Sequence, residues 1–452
     1  MILLSGKEIL KMNEFFQSRI VFLYNNYERE HWNNELIGRE LTRRGCKIYE
    51  VDFCEPNMLK NVMRICPEII VTFPITTNEQ RYAYALIKKI TRCIFITFTT
   101  EGYVDFEDQT AIKNLAGYYN YSSDLIDYHM FWGKKAAESI GRELYKQNKL
   151  KNTKQIRVFG NPMYEKDKIQ FQYSYKKLDE LTSNRNKVVL ILTGFPSSEY
   201  TENDIVNAQD LISCNKKNKE QYNNELKQTM ERIKHLRIYR EKYITAIVEA
   251  VKENGNVLFV VKLHPIEMAL RKENRTPQYL GRLEAAGEGV VIIEETCPIG
   301  AILPFCDLVV HYGSTVGLEA YIYKIPTLRL DYNDIHNEWK AGAYCGDLED
   351  IHIVDRYVKG IQNGSVCFKK NQKIEKQLED IMNYKIEDEY RPSEEMAEFM
   401  CSGLYRNNLH LSIKEWLEIL NWRLHKFSLR KNVRKYLKGS INVESYVRKG
   451  EK

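Results

Sequence analysis

A chain of 452 residues is too long for one ordinary hydrophobic core, and two α/β domains of roughly 150 to 200 residues each are the natural division. With 43% hydrophobic and 28% charged residues, and with only 23 Gly and 11 Pro, the composition excludes a Gly/Pro-rich disordered chain. A formal charge of +6 is mild for this length, does not by itself call for nucleic acid, and is drawn largely from the C-terminus.

The first residues, MILLSGKEILKMNEFFQSR, make a short apolar start broken by Lys7 and Glu8, which is not a signal peptide. No uncharged stretch reaches the roughly 20 residues of a membrane span. From residue 19 the pattern alternates. RIVFLY (19–24) reads as a strand, and HWNNELIGRELTRRG (31–45) as a helix with Leu36, Ile37 and Leu41 inward and Gly45 as its cap. KIYEVDF (47–53), a short helix, EIIVTF (68–73), a helix with Tyr82, Tyr84, Ala85 and Ile87, and CIFITF (93–98) follow. HMFWG (129–133) and IRVFG (156–160) are two more strands, with a helix of about 13 residues between them. Strands rich in β-branched and aromatic residues, alternating with helices, indicate a parallel sheet covered on both faces.

The polar stretch YSYKKLDELTSNRNK (173–187) reads as a linker, and the pattern restarts at VVLILT (188–193). A polar insertion over 199–233 and a helix over about 236–253 precede strands VLFVVKL (257–263), VVIIEE (290–295), DLVVHY (307–312) and PTLRLD (326–331). The expected fold class is therefore α/β, with two doubly wound Rossmann-like domains. Residues 1–175 form the first, 186–385 the second, and 386–452 a set of C-terminal helices with a basic tail. In that tail Ile413, Trp416, Leu417, Leu420, Leu424 and Phe427 share a helical stripe, read as packed against the body. Arg430, Lys431, Arg434, Lys435 and Lys438 follow. The ten cysteines include no CxxC pair and several sit in apolar runs, so they read as reduced core residues of a cytosolic protein.

Two segments carry the chemistry. VVKLHP (260–265) ends a strand, and about 50 residues later HYGSTVGLEA (311–320) joins a strand to a helix. Pro265 disfavours the α region at His264, which holds the imidazole extended at the carboxyl edge of the sheet, where open α/β sheets bind ligands. There it can donate to a phosphate oxygen. Gly313 lets backbone approach a ligand, Ser314 or Thr315 caps the next helix, and the free N–H groups of that helix start make an anion site. Glu319, one turn beyond Thr315 on the same face, can accept from ribose hydroxyls. Lys262 is a further phosphate candidate, with a solvated lysine as the competing reading.

KLHP followed by D-L-V-V-x-x-x-G-S-T-x-x-x-E-A and K-I-P-T-L resembles the C-terminal domain of GT-B glycosyltransferases. The resemblance is to bacterial surface-carbohydrate and capsule proteins: Kdo transferases, His-Pro sialyltransferases and CDP-glycerol polymerases. The UDP-N-acetylglucosamine 2-epimerases are similar in outline. It implies nucleotide and phosphate contacts for His264, Pro265, Gly313, Ser314 and Thr315, and more loosely a ribose contact for Glu319. IRVFGNPMY (156–164) resembles the V-x-G-N-P-x-x-D segment of these proteins, with Tyr164 in place of the acidic residue. TTEGY (99–103) resembles the acidic-plus-Gly motif of inverting members, which maps the general base onto Glu101, with Gly102 for a tight turn.

The implied reaction is inverting glycosyl transfer from a CMP- or UDP-activated sugar, with donor and acceptor meeting in a cleft between the domains. Asp105 is the second candidate for the base. DFED (105–108) reads as a polar helix start, so metal-independent transfer is expected, with no cofactor beyond the donor. The acceptor, a glycan or a lipid-linked one, is expected near Asn25, Asn26 and Tyr27. Glycine-rich loops are lacking there, which argues against NAD or FAD. A cytoplasmic place follows, with the basic tail able to touch the inner membrane surface. Two alternatives share the fold: a UDP-N-acetylhexosamine epimerase or hydrolase, and a non-catalytic sugar-nucleotide-binding relative. A nucleic-acid partner is not expected, since the tail lacks aromatic interleaving on a basic groove.

Overall fold

The computed structural model describes residues 18–25, 27–75, 78–98, 112–113, 116, 125–165, 187–201, 204–205, 219–264, 267–268, 271, 277–293, 299–312, 314–331, 344–385, 389–404 and 413–420. The chain divides into two compact units, Met1–Glu165 with Gln377–Lys452, and Lys166–Lys376. Each is built on six parallel strands, the doubly wound α/β content that the GT-B resemblance implies.

The first unit begins with β1 (Arg19–Tyr24), α1 (Tyr27–Arg43), β2 (Lys47–Asp52), α2 (Met58–Ile65), β3 (Ile69–Thr72), α3 (Asn78–Thr91) and β4 (Ile94–Phe98). β5 (Tyr128–Phe131), α4 (Lys134–Lys146) and β6 (Ile156–Val158) complete its sheet, in the order β2-β1-β3-β4-β5-β6. The direction of winding reverses between β1 and β3, the flavodoxin-like form of a doubly wound sheet. β1, β3 and β4 are buried on both faces, as their unbroken apolar runs require. Gly45 caps α1 as expected. Its φ is +84°, its N–H donates to Thr42 O (2.9 Å), and the Cys46 N–H donates to Leu41 O (3.0 Å), which is a Schellman closure.

The second unit contains β7 (Lys187–Leu192), α5 (Lys219–Glu253), β8 (Val257–Lys262), α6 (Gln278–Glu284), β9 (Val290–Ile293), β10 (Leu308–His311), α7 (Val316–Ile322), β11 (Thr327–Asp331), β12 (Tyr344–Asp347) and α8 (Ile353–Gln362). Its order, β12-β11-β10-β7-β8-β9, is the Rossmann order, and the winding reverses between β7 and β10. The strand at β12 has no apolar run to announce it: among the described residues YCGD pairs with β11 alone, at the sheet edge. α5 is 35 residues long and begins inside the expected polar insertion, well before residue 236. Among its described side chains the buried ones begin at Ile233. Further along, Tyr239 donates its hydroxyl to Leu330 O and Tyr243 donates to Leu192 O (2.9 Å) and Val310 O (3.2 Å).

The C-terminal part, read from sequence as separate helices from 386, belongs to the first unit from Gln377 onward. α9 (Gln372–Met382) and α10 (Pro392–Cys401) carry it. The Glu165 carboxylate accepts from the Ser393 N–H (2.5 Å) and hydroxyl (2.9 Å), and the Asn161 N–H donates to Tyr390 Oη (2.7 Å). Two expectations are corrected. Of the eight described cysteines, five (Cys54, Cys66, Cys345, Cys367 and Cys401) are exposed, because they lie in turns, on the edge strand or at helix ends rather than in core strands. The stripe of 413–420 is not packed inward either: Ile413, Leu417 and Leu420 are exposed and Ile419 is the buried residue. The linker up to residue 186 lies outside the described residues.

Gly133 shows how closely α9 is held. A Cβ there would stand 2.2 Å from the carbonyl oxygen of Ile381 and 2.7 Å from that of Asp380. Those atoms are backbone and cannot swing aside. Gly133→Ala is expected to cost about 2 kcal/mol or more through overpacking. A calorimetric or fluorescence melt checks this, and an unchanged Tm would show that α9 is not seated there.

Candidate functional site

In the second unit the carboxyl ends of β8, β7 and β10 lie side by side at the point where the winding reverses, the place where such sheets bind ligands. His264 follows β8. Its N–H donates to Glu267 Oε2 (2.9 Å) and to Thr193 Oγ1 (3.2 Å), and its carbonyl accepts from the Met268 N–H (3.0 Å). Thr193, just past β7, donates its hydroxyl to the same Glu267 oxygen (2.5 Å) and its N–H to Lys262 O (3.2 Å). His264 therefore stands as the cap of a helical turn, and Glu267, three residues on, reaches back to its N–H as in a capping box. One buried carboxyl group thereby ties the ends of two neighbouring strands together. Burial pushes the Glu267 carboxyl above the usual range, and the donors from Thr193 and His264 work against that rise.

Beyond β7, Phe195 stacks on Tyr312 with ring centroids 5.4 Å apart, which joins the β7 end to the β10 end. After β10, the Ser314 N–H donates to Nδ1 of the buried His311 (3.2 Å), and the Val316 N–H donates to Ser314 Oγ (3.3 Å). Burial first, and the Arg329 guanidinium second, push the His311 imidazole down to about 3. It is neutral, with Nδ1 as acceptor and the proton on Nε2. Ser314, rather than Thr315, supplies the side-chain cap of α7. The turn is thus less bare than a free helix end: the Gly317 and Leu318 N–H groups already donate to Ser314 O (3.1 Å) and Thr315 O (2.9 Å). Among the described residues, the Thr315 N–H is the amide of this turn left without a partner. The anion-binding capacity expected here narrows to that amide and to the two hydroxyls.

Glu319 on α7 is buried, not solvated. Burial pushes its carboxyl up to about 8, and the Lys262 ammonium at the end of β8 acts in the opposite direction. Lys262 and Glu319 therefore belong to the same neighbourhood as His264 and Ser314. Pro265 and Gly313 lie outside the described residues.

In the first unit, the Asn25 N–H donates to Glu30 Oε2 (2.9 Å), directly after β1. Tyr27 stacks on His31 (centroids 4.3 Å apart), and His31 lies between Glu50 (3.0 Å) and Glu35 (3.4 Å). Asn26, Glu101, Gly102 and Asp105 lie outside the described residues. Among the described residues no group of three or more His, Cys, Asp or Glu side chains could hold a metal ion.

Reading the sequence missed Glu267, Thr193 and His311. The H-P-x-E spacing, with Glu three residues after His, was the signal available for Glu267. Thr193 and His311 had none, because their partners come from other strands.

No family model and no curated protein matches the sequence. Among solved structures the chain is similar to a UDP-GlcNAc 2-epimerase of Methanocaldococcus jannaschii, at 12% identity over 86% of this chain and 100% of that one, with a TM-score of 0.49. It is similar to a glycosyltransferase of Rickettsia africae, at 10% identity over 86% of this chain and 100% of that one, with a TM-score of 0.43. It is also similar to the wall teichoic acid polymerase TagF, at 10% identity over 85% of this chain and 88% of that one, with a TM-score of 0.49.

The raised Glu319 carboxyl makes stability fall with pH. Its contribution is present in full below the unfolded carboxyl range and is lost as pH rises through about 8. Melts of wild type and Glu319→Gln between about pH 5 and 8.5 are expected to diverge in the variant's favour by roughly 4 °C or more. Parallel curves would mean that Glu319 titrates as an ordinary surface carboxylate.

Proposed function

We propose that this chain transfers a sugar from a CMP- or UDP-activated donor to a glycan or lipid-linked acceptor, with inversion and without a metal. The observation that supports this reading is the row of strand ends at the switch point of a Rossmann-ordered sheet: His264, Glu267 and Thr193 tied by hydrogen bonds, Phe195 stacked on Tyr312, and the Ser314–Thr315 turn held by the Ser314 N–H to His311 Nδ1 bond. A row of this kind presents an imidazole, two hydroxyls, an amide and the Lys262 ammonium to one ligand. That donor set suits the leaving phosphate of a nucleotide sugar, whose negative charge grows as the glycosidic bond breaks. Glu319 is assigned to the ribose hydroxyls.

On this reading Glu101 takes the proton of the acceptor hydroxyl, with Asp105 as the second candidate, and Asn25 and Asn26 lie on the acceptor side. His264 and Lys262 carry the charge that a metal supplies elsewhere. The setting proposed is surface-polysaccharide synthesis at the inner face of the cell membrane. No helix among the described residues is long and apolar enough to cross a membrane.

A melt in the presence of CMP, CDP, UDP and GDP tests the binding half. A cytidine or uridine nucleotide is expected to stabilise the protein by about 2.7 kcal/mol at a hundredfold excess over its dissociation constant. His264→Ala is expected to abolish that response. If no nucleotide shifts the melt, the reading fails. The reaction half is tested with Glu101→Gln, which is expected to lower acceptor-dependent transfer by at least about 100-fold. Release of free hexosamine or its epimer without acceptor would replace transfer with epimerase or hydrolase chemistry. Full activity of Glu101→Gln in cells would favour a binding role.

A further inference from the structure

Residues 413–420 form a short helix on the first unit. One side of it is fastened. Glu415 pairs with Arg81 (2.7 Å), Glu418 accepts from the Tyr82 hydroxyl (3.1 Å), and Ile419 is buried in the core beside α3 at 2% exposure. The other side carries Ile413, Trp416, Leu417 and Leu420, spaced i, i+3, i+4 and i+7, which is one helical face. These side chains are 81%, 36%, 60% and 52% exposed. Single exposed apolar residues are common on proteins. Four on one face of two turns, held outward by an ion pair and a hydrogen bond on the opposite face, make a patch that calls for a partner.

The residues that follow in sequence say what kind. Between 422 and 438 there are seven Lys or Arg and no Asp or Glu, against a net charge of +6 for the whole chain. The positive excess of the protein is therefore concentrated directly after the apolar face. A second copy of the chain is a poor occupant, because a two-fold contact would bring two such basic runs together. An apolar helical face continued by a cationic run matches the interface of an anionic bilayer, where the apolar residues enter the headgroup boundary and the cations meet lipid phosphates.

The geometry points to the 413–420 helix as a membrane-docking element, which inserts Ile413, Trp416, Leu417 and Leu420 into the surface of an anionic bilayer while the cations of 422–438 bind its headgroups. This inference stands apart from the sugar-transfer reading, since none of these residues belongs to the candidate site.

The test is flotation of the full chain with vesicles of phosphatidylcholine alone and with about one third phosphatidylglycerol. Binding to the anionic vesicles is expected to be at least about 10-fold stronger, and to weaken in high salt. Ile413→Ser with Leu417→Ser is expected to reduce that binding by at least about 10-fold while leaving Tm and the nucleotide response unchanged. Arg430→Glu with Lys431→Glu is expected to reduce it on anionic vesicles only. Absence of binding, equal binding to both vesicles, or unaltered binding by the serine double variant would each overturn the proposal. So would a large drop in Tm in that variant, which would mean that the face is covered by the protein itself. An apparent mass that rises with concentration and falls back in the variant would assign the face to a second copy instead. Because nucleotide-induced stabilisation is measured separately, failure here leaves the sugar-transfer reading as it stands.

Discussion

Parallel strands must all run the same way, and this constraint organises everything else in the second unit. Each strand is followed by a crossover, so every carboxyl end opens on the same edge of the sheet. At the reversal between β7 and β10 the crossovers leave in opposite directions, which is the place where such sheets bind ligands. Backbone groups at such an edge still need partners. The Glu267 carboxyl meets that need for the His264 N–H and binds the Thr193 hydroxyl as well, so the backbone of His264 is held by two strands and not by a loop alone.

The charges of the site follow from burial. Three ionisable groups near the reversal are pushed towards their neutral forms: Glu267 and Glu319 upward and His311 downward. An anionic ligand proposed for this edge would be repelled by two carboxylates, so desolvation that disfavours ionised carboxyl groups works in its favour. The same desolvation keeps His311 as an acceptor for the Ser314 N–H, which shapes the turn but withdraws that amide from ligand binding. What remains for an anion is a short set of donors with distinct origins, from the end of β8 and from the turn after β10.

The first unit is completed by residues from the far end of the chain. Glu165 and Asn161, just past β6, are engaged by Ser393 and Tyr390. Phe399 sits edge-on to Tyr128 with centroids 5.1 Å apart, and the Arg157 guanidinium lies 5.2 Å from the Phe399 ring. The returning helices are thereby part of that unit's packing, and the 413–420 helix is carried on α3 as an attachment with its own exposed face.

Much of this was legible in the residues. Strands buried on both faces need unbroken apolar runs, so β1, β3, β4, β7, β8 and β10 announce themselves, and Gly45 announces the end of α1 because the left-handed conformation there favours glycine. His264, Ser314 and Thr315 stood out because each follows the end of a strand, where residue type and position have a direct chemical meaning, and Glu319 because it lies one turn beyond Thr315. β12 was not visible, since an edge strand has little to bury, and the start of α5 was hidden in polar sequence that a long exposed helix tolerates. The strand order that makes one sheet flavodoxin-like and the other Rossmann-like, the partnership of Glu267 with Thr193, and the outward turn of Ile413, Leu417 and Leu420 depend on which segments become neighbours. Local periodicity reports which face of an element is apolar. Only packing decides what, if anything, covers that face.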